Sequence, residues 1–232
     1  MKIDIWSDIM CPFCYIGKRR LEGALQDFEH KEDVVINWHS FQLDPIMKSH
    51  PGVSIHDYLA ERKGQTREWS LKMHQQMTEN AKQEGLIYNF DIAVIANSFD
   101  AHRLIQMAKT HDLGDAAEER LFKAYFTDGK NMSDHATLID LGSEIGLDKN
   151  EVASMLQGND FANEVHEDIA QAQRYGINGV PFFVLDNKYG ISGAQPKEVF
   201  QQAFQQAWTE QEKPLQSVSN TDGDVCIPGG DC

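Results

Sequence analysis

Apolar and polar positions alternate at the start of the chain, where Ile3 and Ile5 stand against Lys2 and Asp4, and Trp6 leads into Ser7-Asp8. This two-residue period predicts a short strand ending in a turn. Pro12 then occupies a place suited to the first turn of a helix, and Ile16, Arg20, Leu21, Ala24, Leu25 and Phe28 continue at helical spacing. A second strand is predicted over Val34–Phe41, rich in β-branched and aromatic residues and stopped by Asp44-Pro45. From Ser54 to Tyr175 the periodicity is helical, broken at Gly85, Gly114, Gly129, Gly146 and Gly158. Strand character returns over Val180–Leu185, turns at Asp186-Asn187-Lys188, and resumes over Tyr189–Ser192. A last helix is predicted from Pro196 to about Glu210.

Strand-helix-strand, then helices, then strand-strand-helix is the order of an α/β thioredoxin-like fold with an all-helical domain inserted in its middle. The expected divisions are residues 1–53 and 176–212 for the thioredoxin-like domain and 54–175 for the helical insertion. After Pro214 the composition turns to Ser, Asn, Asp, Gly and Pro, so 213–232 reads as a flexible C-terminal tail. With 232 residues, 41% of them hydrophobic, the chain can bury a core without disulfide staples. The formal charge of −15 is spread along the chain and argues against nucleic acid as a partner. No apolar run reaches membrane-spanning length and the first residues lack a secretory pattern, so no membrane association and a cytoplasmic location are expected.

In that compartment most thiols stay reduced, and the four cysteines fall into two close pairs, Cys11/Cys14 and Cys226/Cys232, which points to catalysis or metal rather than stapling. A thiol must lose its proton before it can attack a disulfide. Cys11, at a helix N-terminus, sits where unpaired N–H groups and the helix dipole favour an anion. Cys14, three residues on, comes round to the same side and can resolve a mixed disulfide. Zinc would need two further ligands at conventional spacing; none is evident, and no metal or other cofactor is expected. Asp8, three residues before Cys11, is either an acceptor for the proton that Cys14 must lose or a turn residue. Val180-Pro181 opens an apolar strand with a residue that has no N–H, and from the residues alone its peptide bond is as readily trans as cis.

Asp8-Ile9-Met10-Cys11-Pro12-Phe13-Cys14-Tyr15-Ile16-Gly17 resembles the active-site signature of the DsbA-like thioredoxin superfamily. Four further motifs are similar to its FrnE-type branch: Phe41–Pro45, Asn97–Leu104, Gly179–Phe183 and Ile191–Gln195. The resemblance covers roughly residues 1–210. It implies a disulfide oxidoreductase or isomerase acting on protein thiols and disulfides, with glutathione or a thioredoxin-type protein as reductant. It also implies a cis Pro181 facing Cys11 and Cys14 across the active-site groove, with Val180, Pro12 and Phe13 beside the substrate. Backbone groups of Val180 would pair with an extended substrate segment. Asn97 and His102 come with the insertion motif and are expected to fix its packing. Phe13 replaces the histidine that the resemblance to periplasmic DsbA would place between the cysteines. Without that hydrogen-bond donor, a potential between roughly −120 mV, that of DsbA, and roughly −270 mV, that of thioredoxin, is expected.

Cys226 and Cys232 enclose Pro228-Gly229-Gly230, a turn that can bring the sulfurs together. The FrnE-type branch includes members with such a second pair, which implies an accessory redox role; a metal site or an inactive remnant are the alternatives. Two other functions fit parts of the sequence. Glutathione-dependent isomerases and transferases of the kappa or hydroxychromene-carboxylate type share the strand and insertion motifs but typically carry serine where this chain has Cys11. A holdase-like chaperone would use an adaptable apolar surface, for which Met73 and Met77 are candidates, although their spacing reads first as core.

Overall fold

The computed structural model describes residues 1–211, and the expected tail with Cys226 and Cys232 lies outside them. Among the described residues a four-stranded mixed sheet is built from β1 (Lys2–Ser7), β2 (Val35–Ser40), β3 (Phe182–Leu185) and β4 (Tyr189–Ser192), in the order β2-β1-β3-β4. β1 and β2 run parallel, joined by the crossover helix α1 (Pro12–Gln26), whereas β3 is antiparallel to both β1 and β4. Asp186 and Asn187 both take positive φ (47° and 56°), the backbone that a tight β3–β4 hairpin requires and that short polar side chains tolerate. β3 starts two residues later than the apolar run suggests. Val180 precedes a proline with no N–H to donate, and the Pro181 carbonyl is held by the Gly193 N–H at 2.8 Å.

The helices between β2 and β3 are α2 (Ile55–Lys63), α3 (Arg67–Gln83), α4 (Phe99–Lys109), α5 (Gly114–Phe126), α6 (His135–Glu144), α7 (Lys149–Gln157) and α8 (Ala162–Arg174); α9 (Lys197–Gln211) follows β4. Ser54, Thr66, Asp134 and Asp148 each accept a hydrogen bond from a first-turn N–H, which is why α2, α3, α6 and α7 begin where they do. Gly85, Gly129, Gly146 and Gly158 fall at or just past helix ends as expected, but Gly114 opens α5. The left-handed residue between α4 and α5 is Asp112, at φ 59°. None of the described helices is long and apolar enough to cross a membrane.

The alternation in β1 sends its side chains to two different layers. Ile3 and Ile5 pack with Leu21 of α1, Trp38 of β2, and Phe200 and Phe204 of α9. Asp4 and Trp6 face α8, where Trp6 stacks on His39 with ring centroids 4.5 Å apart and donates to the Asp168 carbonyl at 3.0 Å. His39 bridges Asp4 (2.9 Å) and Asp168 (2.6 Å). Burial works to raise the Asp168 carboxyl, but the hydrogen bond and charge of His39 outweigh it and hold the group low.

A third core joins the active-site turn to the helices: Ile9, Cys11, Cys14, Tyr15 and Ile16 pack with Leu104, Phe122, Tyr125 and Phe126. Around its edge α1 and α5 are bolted by charge. The buried Lys18 ammonium reaches Glu22, Asp115 at 3.2 Å and Glu119 at 3.4 Å, while Arg19 pairs with Glu22 at 2.7 Å and with Glu119. Glu118 on the same helix is 1% exposed and one carboxylate oxygen has no hydrogen-bond partner. Burial, helped by the charge of Asp115, pushes its carboxyl up to about 8. The folded protein therefore holds a proton there that the unfolded chain releases at its ordinary carboxyl range near 4.5, so stability falls as pH rises from about 4.5 to about 8. Glu118→Gln removes this slope. In urea titrations its advantage over wild type should grow by about 1 kcal/mol per pH unit across that window and level off above it.

Candidate active site

β1 ends at Ser7, and the chain turns through Asp8-Ile9-Met10 into Cys11. The Cys11 N–H donates to the Asp8 carbonyl at 2.9 Å, closing the turn. The Asp8 carboxylate accepts from the Met10 N–H at 3.1 Å and from the Leu43 N–H at 2.8 Å. Asp8 thus serves as a turn residue, and it also ties the loop after β2 to the approach to Cys11. Cys11 is the N-cap residue of α1, in extended backbone with Pro12 beginning the helix, so its sulfur lies where the first-turn N–H groups are unpaired.

Facing it is the Val180-Pro181 loop, whose peptide bond is cis, as the resemblance implied. The Cys11 thiol donates to the Val180 carbonyl at 3.4 Å, so anything bonded to Cys11 lies within reach of that backbone. The loop comes this close because residue 17 has no side chain. A β-carbon on Gly17 would stand 3.0 Å from Pro181 Cγ and 3.2 Å from Phe183 Cζ. Cys14 lies one turn further on, and both cysteines are free, buried thiols. Burial pushes the Cys14 thiol well above its ordinary range and neighbouring Cys11 adds to this, while the Asp8 N–H and the Ser7 hydroxyl act weakly the other way. Cys14 therefore keeps its proton at neutral pH. Phe13, between the two, is 45% exposed.

Some of the support was not visible in the sequence. The Pro12 carbonyl accepts from the Tyr88 hydroxyl at 2.6 Å, and Tyr88 stacks with Phe126 at 4.4 Å. Burial raises the Tyr88 hydroxyl, with Cys11 and Cys14 adding, so it remains a donor. Tyr88 lies 76 positions from Pro12, between α3 and α4, and no local signal connects the two. Asn97 behaves as a joint: its amide N–H groups donate to the Pro45 and Met47 carbonyls, and its oxygen accepts from Gln42 and from the Phe99 N–H. His102 is completely buried, with Nε2 3.5 Å from an Asp8 oxygen.

Beside the turn a cavity of about 460 Å³ opens between α2, α3 and the loop after β2, its wall including Met10 and Pro12. The core reading of Met73 needs correction here: it is 37% exposed and lines the cavity, whereas Met77 is half-buried, packs against the third core and lines the cavity as well.

Residues 2–205 match the family described as the DsbA-like thioredoxin domain. The chain belongs to that family. A probable DsbA oxidoreductase from Streptomyces coelicolor, known from its crystal structure, is 36% identical, with a TM-score of 0.88 over 99% of this chain and 100% of that one. The uncharacterized protein YwbO of Bacillus subtilis is 28% identical over 204 residues, 87% of this chain and 94% of YwbO. The cytosolic disulfide reductase DsbM of Pseudomonas aeruginosa shares the fold at 19% identity, with a TM-score of 0.61 over 91% of this chain and 100% of that one. As a member of this DsbA-like oxidoreductase family the chain is a redox enzyme with a thioredoxin-like fold. For such an enzyme the Gly17–Pro181 approach is decisive. Gly17→Val should cost about 1–3 kcal/mol of stability by overpacking. Reaction of Cys11 with a chromogenic disulfide should also slow; a variant unchanged in both would show that the contact is slack.

Proposed function

We propose that the protein exchanges disulfides in polypeptide substrates through Cys11 and Cys14, as a reductase or isomerase of the FrnE-type branch. The observation that carries this reading is the pairing of an N-cap Cys11, against the Val180 carbonyl, with a buried, protonated Cys14. In the reductive direction the Cys11 thiolate attacks a substrate disulfide; one S–S bond breaks, a mixed disulfide forms, and one substrate sulfur leaves as thiolate. Cys14 then loses its proton and attacks Cys11. The second substrate sulfur leaves, and the two electrons taken up by the substrate have come from the cysteine pair. Glutathione or a thioredoxin-type protein would reduce the pair again. If the first mixed disulfide is instead attacked by another substrate thiol, the outcome is isomerisation. A buried resolving thiol favours exchange over glutathione conjugation, which needs no second cysteine.

A cytoplasmic location suits this direction of flow, since thiols there are kept reduced. The accessory role of Cys226 and Cys232 is supported by reach. Trp208 of α9 stacks on His30 at 4.2 Å, close to the far end of α1, which at 15 residues is about 22 Å long. Fourteen residues lie between Gln211 and Cys226, enough chain to span up to about 50 Å.

Insulin reduction and reactivation of scrambled ribonuclease test the proposal. Cys11→Ser should lose at least about 100-fold in both assays, and full activity in that variant would overturn the reading. Cys14→Ser should accumulate mixed disulfides that wild type does not. Truncation after Pro214 should slow the cycle with glutathione as reductant if the tail assists. Equilibration with glutathione should give a potential between roughly −270 and −120 mV.

A further inference from the structure

We propose that the Ser7 hydroxyl is a catalytic hydrogen-bond donor to the Cys14 sulfur, stabilising the thiolate that forms there when Cys14 resolves the mixed disulfide on Cys11. The inference rests on the exchange chemistry proposed for that pair.

The first argument is position. Alternation along β1 places Ser7 on the face of Ile3 and Ile5, which α1 covers through Leu21. Cys14 precedes Leu21 by seven residues, about two turns, and so lies on the same face of α1 in its first turn. The end of β1 and the start of α1 meet at these two residues, and the Ser7 hydroxyl and the Asp8 N–H are the donors turned to the Cys14 sulfur. The second is an unused donor. Ser7 is fully buried, yet its hydroxyl has no hydrogen-bond partner while Cys14 is a neutral thiol. An unpaired buried hydroxyl costs stability, but beside a reacting sulfur it is a donor already in place where negative charge will develop. The third is that the neighbouring polar groups are committed. The Asp8 carboxylate accepts from the Met10 and Leu43 N–H groups, the Tyr88 hydroxyl donates to the Pro12 carbonyl, and the Cys11 thiol donates to the Val180 carbonyl. His102, which also lacks a hydrogen bond, has its Nε2 3.5 Å from the Asp8 carboxylate.

In the mixed disulfide Cys11 is bonded to a substrate sulfur. Cys14 loses its proton and attacks the Cys11 sulfur, and the bond from Cys11 to the substrate breaks as the bond between the two cysteines forms. The substrate sulfur leaves with the electron pair of the broken bond and takes up a proton in place of the one that Cys14 lost. Ser7 keeps its own proton throughout and shares it with the Cys14 sulfur in a site closed to water, where a hydrogen bond to an anion is strong. The charge is gone once the disulfide has formed, so the interaction favours the resolving step over both the resting and the oxidised states.

The test uses the full-length chain with Cys226→Ser and Cys232→Ser, so that only Cys11 and Cys14 report, and a chromogenic nitrobenzoate disulfide in stopped flow. Attack by Cys11 releases a first coloured thiolate at a rate proportional to the reagent concentration. Attack by Cys14 on the resulting mixed disulfide releases a second at a rate independent of it. Ser7→Ala should leave the first phase and the thermal unfolding temperature at wild-type values and slow the second phase about threefold to tenfold. A hydrogen bond to a charged group raises the thiolate population by about tenfold to a hundredfold, and about half of that gain, on a logarithmic scale, is returned as lower nucleophilicity. Ser7→Gly, which lacks the hydroxyl equally, carries the test if Ser7→Ala does not fold. A second phase as fast as wild type in the folded variants, or equal slowing of both phases, overturns the proposal. Failure of the exchange chemistry itself would look different: Cys11→Ser would keep the first phase, or the wild-type pair would release no second thiolate.

Discussion

The Cys11 sulfur and the loop facing it belong to segments 169 positions apart, and the helix carrying one must pass within contact distance of the other. A glycine at position 17 permits that approach, because any side chain there meets Pro181 and Phe183. From this close passage follow the hydrogen bond from Cys11 to Val180, the alignment of β3 against β1, and the tether from Gly193 to Pro181. The N-terminus of α1 favours an anion at Cys11, and the loop defines what stands opposite it.

The second determinant is the way α1 is shared between layers. One side, through Leu21 and Ala24, packs on the sheet and α9, while Cys14, Tyr15 and Ile16 pack into the helices that precede β3. Lys18 and Arg19 stand at the boundary and are neutralised mostly from α5. Such a network adds little net stability beyond an apolar equivalent. It acts mainly to fix the angle at which α1 lies, and so where Cys11 is held.

The elements could be read from the sequence where the signal was local. Alternation in β1, the proline after Cys11, the β-branched run of β2, and Asp186-Asn187 between two strands each determine structure within a few residues. The break at Gly114 does separate α4 from α5, with Asp112 rather than the glycine taking the left-handed backbone. At the site, Cys11 and Cys14 stood out by type and spacing, and cis Pro181 through the family resemblance. Tyr88, the hydrogen bonds of Asp8 to the loop after β2, and the cavity did not, since each depends on how segments dozens of residues apart meet. Met73 shows the same limit. Helical spacing tells that a face is apolar, not whether another element fills the space before it.

The packing of α1 has a consequence for whether this architecture can be taken apart. The segment between β2 and β3 supplies the wall behind both thiols, the hydroxyl that holds Pro12 and the acids that hold Lys18 and Arg19. Excising it would strip the cover from Cys14, Tyr15 and Ile16 and leave a wet, sticky helix face in place of the thiol environment.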